Sequence, residues 1–258
     1  AWRFRSSADL FVVHSDREVA DFQVIAAGHG SVGRATLPFL APLPGAAVRD
    51  RVVFATQAKV PVLRAERERV LSALAALAER RPDLSVVVKL RARAEEQQTH
   101  REVLHYETLW RAMPVDHDLL TFDAGPMREQ LAHAAGFVTV SSTAALEAIA
   151  AGVPSLVLQD FGVSAEMINV VFAGSGLLGT LEHLAAAEFR TPSAAWCAAN
   201  YFHDAAADDW IDRLTCLAHA ELPPAPRVIS GPLPRIRARL RFANPVLYKS
   251  LVAVRNLR

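Results

Sequence analysis

Cysteine is nearly absent. Cys197 and Cys216 are the only two in 258 residues, and neither belongs to a Cys-x-x-Cys pair or lies near a plausible set of His ligands. A disulfide framework and a thiolate metal site are therefore not expected, and free thiols in a reducing cytoplasm are. Lysine is scarce as well, with three residues, a bias towards Arg that reads as genomic base composition rather than function. Aromatics make up 7%, too few beside the basic segments to stack bases, so no nucleic-acid partner is expected. No apolar run has membrane-spanning length: residues 134–158, the most apolar stretch, contain Glu147, Gly152 and Pro154. No signal-peptide pattern opens the chain. It begins AWRFRSSADLFVVHS, without Met, and the numbering is expected to start inside a longer protein.

What is present is an ordinary globular composition, 52% hydrophobic and 21% charged, with ample material for a core. The formal net charge of +1 hides an asymmetry. From Arg227 onward there are eight basic residues and no acidic one, which leaves 20 basic against 27 acidic in the rest.

The order of elements follows from hydrophobic pattern. ADLFVVHS and FQVIAAG read as short buried strands. Residues 30–45, with Pro38, Pro42 and Pro44, read as a linker that resists helix and strand. An alternation then begins. Strands are expected at RVVFATQ, LSVVVKL, DLLTFD, GFVTV and PSLVLQD. Helices are expected over 64–80, 102–111, 127–135, 143–151, 164–172, 193–201 and 206–219. Such alternation implies right-handed βαβ units and a parallel sheet covered on both faces, a Rossmann-like α/β fold. The expected division is a remnant of a preceding α/β domain with its linker (1–45), a main domain (46–222) and a basic tail (223–258).

Within the main domain, three hydroxyl residues, Ser141-Ser142-Thr143, fall between the strand GFVTV and a helix. The carboxyl end of a parallel strand is where open α/β sheets bind ligands, and a helix N-terminus with hydroxyl donors favours an anion. A single Ser or Thr would suffice as an ordinary N-cap; three in a row favour phosphate contact. No Glu or Gln follows three residues later to complete a capping box. Gly152 fits the residue after the helix, and Pro154 prevents continuation. Glu147, one turn in, is a dipole partner, a brace or a ligand contact.

The segment VSSTAALEAIAAGVPSLVL resembles the donor-site segment of GT-B glycosyltransferases, in which a Ser/Thr-rich turn, Glu-Ala, Gly-x-Pro and a strand recur. The resemblance covers residues 51–184 and is nearest the branch that builds bacterial capsule and other cell-surface polysaccharides. Sugar-nucleotide epimerases of the same fold share part of it. It implies a C-terminal nucleotide-sugar-binding domain, with Ser141, Ser142 and Thr143 at the donor phosphate. Thr56 and Gln57 would stand near the donor, or else cap a neighbouring element. Lys89 and Arg91 stand where the capsule branch often has Lys-x-His-Pro; Arg replaces His and Ala92 replaces Pro. An Arg still binds phosphate, the departure weakens a CMP-sugar assignment, and both residues also read as plain solvated charges. Asp160 ends the next strand and Glu166 follows it, where acidic residues of the family hold ribose or sugar hydroxyls; Glu166 also reads as a first-turn dipole partner.

The implied activity is transfer of a sugar from a nucleotide-activated donor to a cell-surface glycan or lipid-linked acceptor. No cofactor and no metal are expected, since no Asp-x-Asp pair ends a strand; Asp208-Asp209 reads as a solvated first turn of a helix. A 2-epimerase or a non-catalytic nucleotide-binding scaffold would share these features. The catalytic base is unassigned. Gly28-x-Gly30-x-x-Gly33 mimics a dinucleotide fingerprint, but prolines follow where a helix is required, so a hinge is expected there, with His29 facing the cleft. The segment 235–258, where Arg235, Arg237, Arg239 and Arg241 alternate with apolar residues, suits either peripheral contact with the anionic inner membrane face or packing against the protein.

Overall fold

The computed structural model describes residues 8–25, 31–40, 48–93, 102 and 104–220. His29, Gly28, Gly30 and the tail from 221, including the basic segment 235–258, lie outside the described residues.

The main sheet has six parallel strands: β3 (Arg51–Ala55), β4 (Ser85–Lys89), β5 (Thr121–Asp123), β6 (Ala134–Thr139), β7 (Ser155–Leu158) and β8 (Leu178–Gly179). Their spatial order is β5-β4-β3-β6-β7-β8, the doubly wound order in which the chain runs outward to one edge, then returns to the centre and runs to the other. β3 and β6 are therefore neighbours whose onward connections leave in opposite directions. The pairing sets Ala55 opposite Lys89 on one side and opposite Thr139 on the other.

Each strand feeds both faces, as its period of two dictates. Val52 and Phe54 join Val86, Val88, Leu156 and Leu158 beneath α2 (Arg64–Arg80), α3 (Tyr106–Ala112) and α6 (Leu181–Ala185). Val53 and Ala55 join Phe137 and Val157 beneath α4 (Met127–Ala132), α5 (Ala144–Ala150) and α7 (Ala194–Ala199). The α2 stripe Val70, Leu71, Leu74 and Leu77 is fully buried. After α5 the chain turns as expected: Gly152 holds φ +67°, its N–H bonds Ile149 O at 2.9 Å, and Val153 N–H bonds Ala148 O at 2.9 Å. This is a Schellman closure, and the left-handed position is why glycine stands there.

Ahead of the main sheet, β1 (Leu10–Val13) pairs in parallel with β2 (Ser31–Arg34), with α1 (Asp16–Ile25) between them. Four expectations change here and further along. FQVIAAG is not a strand: Phe22 to Ile25 end α1. The signature SDRE was the signal for that helix, since Ser15 Oγ accepts the Glu18 N–H at 3.1 Å and Glu18 reaches back to the His14 N–H at 3.0 Å. The linker holds a strand after all, because Ser31–Arg34 precedes the prolines and finds β1 as a partner. Residues 164–172 form no α-helix: buried Asn169 captures the Ser164 N–H at 3.1 Å and the Gly162 carbonyl at 3.0 Å, and only a 3-10 turn, Val170–Phe172, remains.

The fourth change concerns Asp208-Asp209, which is no solvated first turn. Asp208 accepts from Thr36 N and Oγ1, both at 2.9 Å, and pairs with His203 Nε2 at 2.9 Å. Asp209 accepts the Arg34 N–H at 2.7 Å and holds Arg213 at 2.7 Å. The two carboxylates pin α8 (Trp210–His219) and its approach to the end of β2. Two further elements were not expected, α6 and the two-residue β8, whose brevity gives no periodic signal. Among the described residues no helix is long and apolar enough to cross a membrane.

Leu74 lies wholly within the α2–sheet interface. Leu74→Ala is expected to cost about 2–5 kcal/mol of stability, read as a lower denaturant midpoint with an unchanged slope.

Candidate functional site

At the carboxyl ends of β3 and β6 the backbone must diverge, and a crevice opens. The ends are tied together by side chains. Thr139 Oγ1 donates to Ala55 O at 3.0 Å and accepts the Ser142 N–H at 3.0 Å. Thr56 Oγ1 donates to Lys89 O at 3.2 Å, and Gln57 Nε2 donates to Ser141 O at 3.0 Å. The crevice is a cleft of about 260 Å³ lined by Thr56, Gln57, Ala58 and Lys59 after β3, Arg91 after β4, Ser142 and Thr143 after β6, and Ile168 after β7.

Five residues expected at a ligand line this cleft: Thr56, Gln57, Arg91, Ser142 and Thr143. Four do not. Ser141 is 4% exposed, and its hydroxyl is buried without a hydrogen-bond partner; it lies beneath the turn. Lys89 is 6% exposed and donates to Leu90 O. Burial pushes its ammonium below the usual lysine range, while Asp123 acts in the opposite direction. Asp160 accepts the Leu181 N–H at 3.0 Å and lies 3.9 Å from Arg69, so its carboxylate serves the start of α6. Glu166 is exposed on the loop after β7. Its own backbone amide, then the Ser164 hydroxyl, hold its carboxyl below the usual range.

Three lining residues, Ala58, Lys59 and Ile168, were not expected from the sequence. Lys59, in ATQAKVP, is a cation two positions beyond Gln57, and that spacing was its only signal. Ile168 is 57% exposed and holds φ +60°, an unusual conformation for a β-branched residue. Asn169 fixes it from inside through the two bonds described above. Among the described residues that line the cleft none is acidic and two are basic. With α5 only seven residues long, the positive character comes chiefly from Lys59 and Arg91 and from the hydroxyls of Ser142 and Thr143. The Ser142 hydroxyl also accepts the Ala144 N–H at 3.2 Å, which orients it. Among the described residues no group of three or more His, Cys, Asp or Glu could hold a metal ion.

Chemically, the arrangement is a small cleft with two cations and two hydroxyls at the switch point of a doubly wound α/β sheet. That defines the class: a Rossmann-like α/β protein with a cleft at its topological switch, the place where open α/β sheets bind ligands. Residues 1–217 match the family model described as "Putative glycosyltransferase (DUF6716)", and the chain belongs to that family. No curated protein matches the sequence significantly. Among solved structures, the pneumococcal O-GlcNAc transferase GtfA, in complex with UDP and GlcNAc, is 14% identical with a TM-score of 0.47, over 72% of this chain and 38% of that one. A "putative UDP-N-acetylglucosamine 2-epimerase" from Listeria monocytogenes is 14% identical with a TM-score of 0.45, over 85% and 61%. WaaG, a glycosyltransferase involved in lipopolysaccharide biosynthesis, is 19% identical with a TM-score of 0.40, over 80% and 61%. The chain spans less than two thirds of the length of each of these.

Glu147, on α5, is half-buried, and desolvation pushes its carboxyl above the usual range. A raised acid stabilises the fold fully below its unfolded value of about 4.3, and that contribution is lost as pH rises through the higher folded value. Glu147→Gln is therefore expected to melt above the wild type at pH 7 and level with it below pH 4, as thermal melts across that range would record.

Proposed function

We propose that this chain is the donor-binding part of a GT-B glycosyltransferase. It moves a sugar from a nucleotide-activated donor to a cell-surface glycan or lipid-linked acceptor, with no bound metal. One observation carries the reading. The cleft at the β3–β6 switch brings two cations and the Ser142 and Thr143 hydroxyls from three different loops together, and among the described residues its lining includes no carboxylate. Such a site suits the phosphates of a nucleotide, whose dense negative charge needs paired donors. Its volume is below that of pockets enclosing a whole small molecule, so it takes the phosphates and leaves the base and sugar to its margins.

In this reading Arg91 and Lys59 neutralise the charge that develops on the departing nucleotide. Pre-placed charge of that kind lowers the barrier without reorganisation at the moment of reaction. Ser142 and Thr143 donate to phosphate oxygens. Ser141 and Lys89 act from behind: the Ser141 carbonyl holds Gln57, and the Lys89 carbonyl holds Thr56. Glu166, two residues from Ile168 at the cleft wall, is assigned to donor hydroxyls, which a carboxylate can accept in pairs. Asp160, engaged with α6, is given no donor contact.

A charged hydrogen bond is worth about 1.5–3 kcal/mol. Arg91→Ala is thus expected to weaken binding of UDP, GDP or CDP by about tenfold or more, measured by titration calorimetry, while the melting temperature stays near the wild type. Unchanged affinity for whichever nucleotide binds the wild type would remove Arg91, and with it the phosphate assignment.

A further inference from the structure

The loop between β3 and α2 supplies half of the described cleft lining, and within it lie the carbonyls of Gln57, Ala58 and Pro61. Buried carbonyls need partners, and here one side chain provides them. The Arg67 side chain, on the first turn of α2, is 3% exposed. Its Nε donates to Pro61 O at 3.0 Å, and its Nη2 donates to Ala58 O at 2.9 Å and to Gln57 O at 3.2 Å. Its Nη1 donates to Leu104 O at 2.7 Å and pairs with buried Glu102. All five N–H donors of the guanidinium are used. Tyr106 lies across it, with the ring centroid 4.8 Å away.

Three of the five bonds end on the β3–α2 loop, and two of those on Gln57 and Ala58, which line the cleft. The other two end on Leu104 and Glu102, which follow β4 in the chain. We propose that Arg67 is a positioning residue for the donor cleft. It clamps the loop after β3 to the segment after β4, so that Gln57, Ala58 and Lys59 are held in the shape that receives phosphate. This rests on the donor-cleft reading. A buried ion pair is a poor source of stability compared with apolar packing, so stability alone does not account for an arginine here. What the arginine provides is a fixed fork of donors, which a lysine does not reproduce.

That difference supplies the test. Arg67→Lys keeps a cation for Glu102 but cannot serve five acceptors. Wild type, Arg67→Lys, Arg67→Met and Glu102→Gln would be compared in the full chain. Three readouts are needed: affinity for whichever of UDP, GDP, CDP and CMP binds the wild type, melting temperature, and hydrogen exchange over residues 56–62. The clamp predicts that Arg67→Lys folds and melts within a few degrees of the wild type, while its affinity falls by about tenfold and exchange in 56–62 accelerates by a similar factor. Arg67→Lys with wild-type affinity and exchange would overturn it. So would losses that merely track melting temperature across the series, which is the signature of a structural ion pair. Should both Arg67 variants fail to fold, Glu102→Gln carries the test: it leaves the guanidinium uncompensated, and the clamp predicts faster exchange over 56–62, with unchanged exchange overturning it. Should no nucleotide bind the wild type, the donor reading fails instead, and exchange in Arg67→Lys alone decides the clamp, acceleration supporting it and no change overturning it.

Discussion

Everything at the functional end of this molecule depends on one constraint, the adjacency of β3 and β6. A parallel strand must hand its chain to a helix on one face or the other. When neighbouring strands send their chains apart, the loops at their carboxyl ends cannot fill the space between them. Here Ala55 and Thr139 sit side by side at that parting, and the Thr139 hydroxyl bridges it. The bridge fixes both the end of β3 and the amide of Ser142. The cleft is thus a consequence of strand order, and its chemistry is decided by the few residues that follow each strand.

Those residues fall into two sets. One set faces the cleft and carries charge or hydroxyls: Lys59, Arg91, Ser142 and Thr143. The other is buried and spends its side-chain polar groups on backbone: Thr56, Lys89, Arg67 and Asn169. The second set costs desolvation and gives geometry in return. Asn169 shapes the loop that carries Ile168 to the cleft wall, and Arg67 shapes the loop that carries Lys59. A site for a multiply charged ligand benefits from such rigidity, because donors already in place lose no entropy on binding.

Much of the main domain was legible in the sequence, because its signals are local. The α2 stripe, the closure at Gly152 and the apolar strands all follow from period and turn chemistry, and the hydroxyl turn follows from its place between strand and helix. What was not legible depends on distant partners. β2 looks like linker until β1 pairs with it. Asp208 and Asp209 look solvated until the end of β2 meets them. The 164–172 segment has helical spacing, but Asn169 takes up the backbone groups that a helix would need. Within the candidate site, residue type alone did not separate cations facing the cleft from those buried behind it. Lys89 and Arg91 stand two apart on the same segment, one buried at the end of β4 and the other just past it in the cleft. The helix over 16–25 is a different case, since its capping signature was present and an apolar run outweighed it.

The central claim is that nucleotide phosphate binds at the β3–β6 switch. Amide chemical-shift mapping of the chain titrated with UDP, GDP, CDP and CMP tests it most directly. The account predicts saturable shifts, for at least one nucleotide, concentrated at residues 56–59, 91 and 142–144, with smaller ones at 166–168. Shifts confined to another surface, or none with any nucleotide, would contradict it.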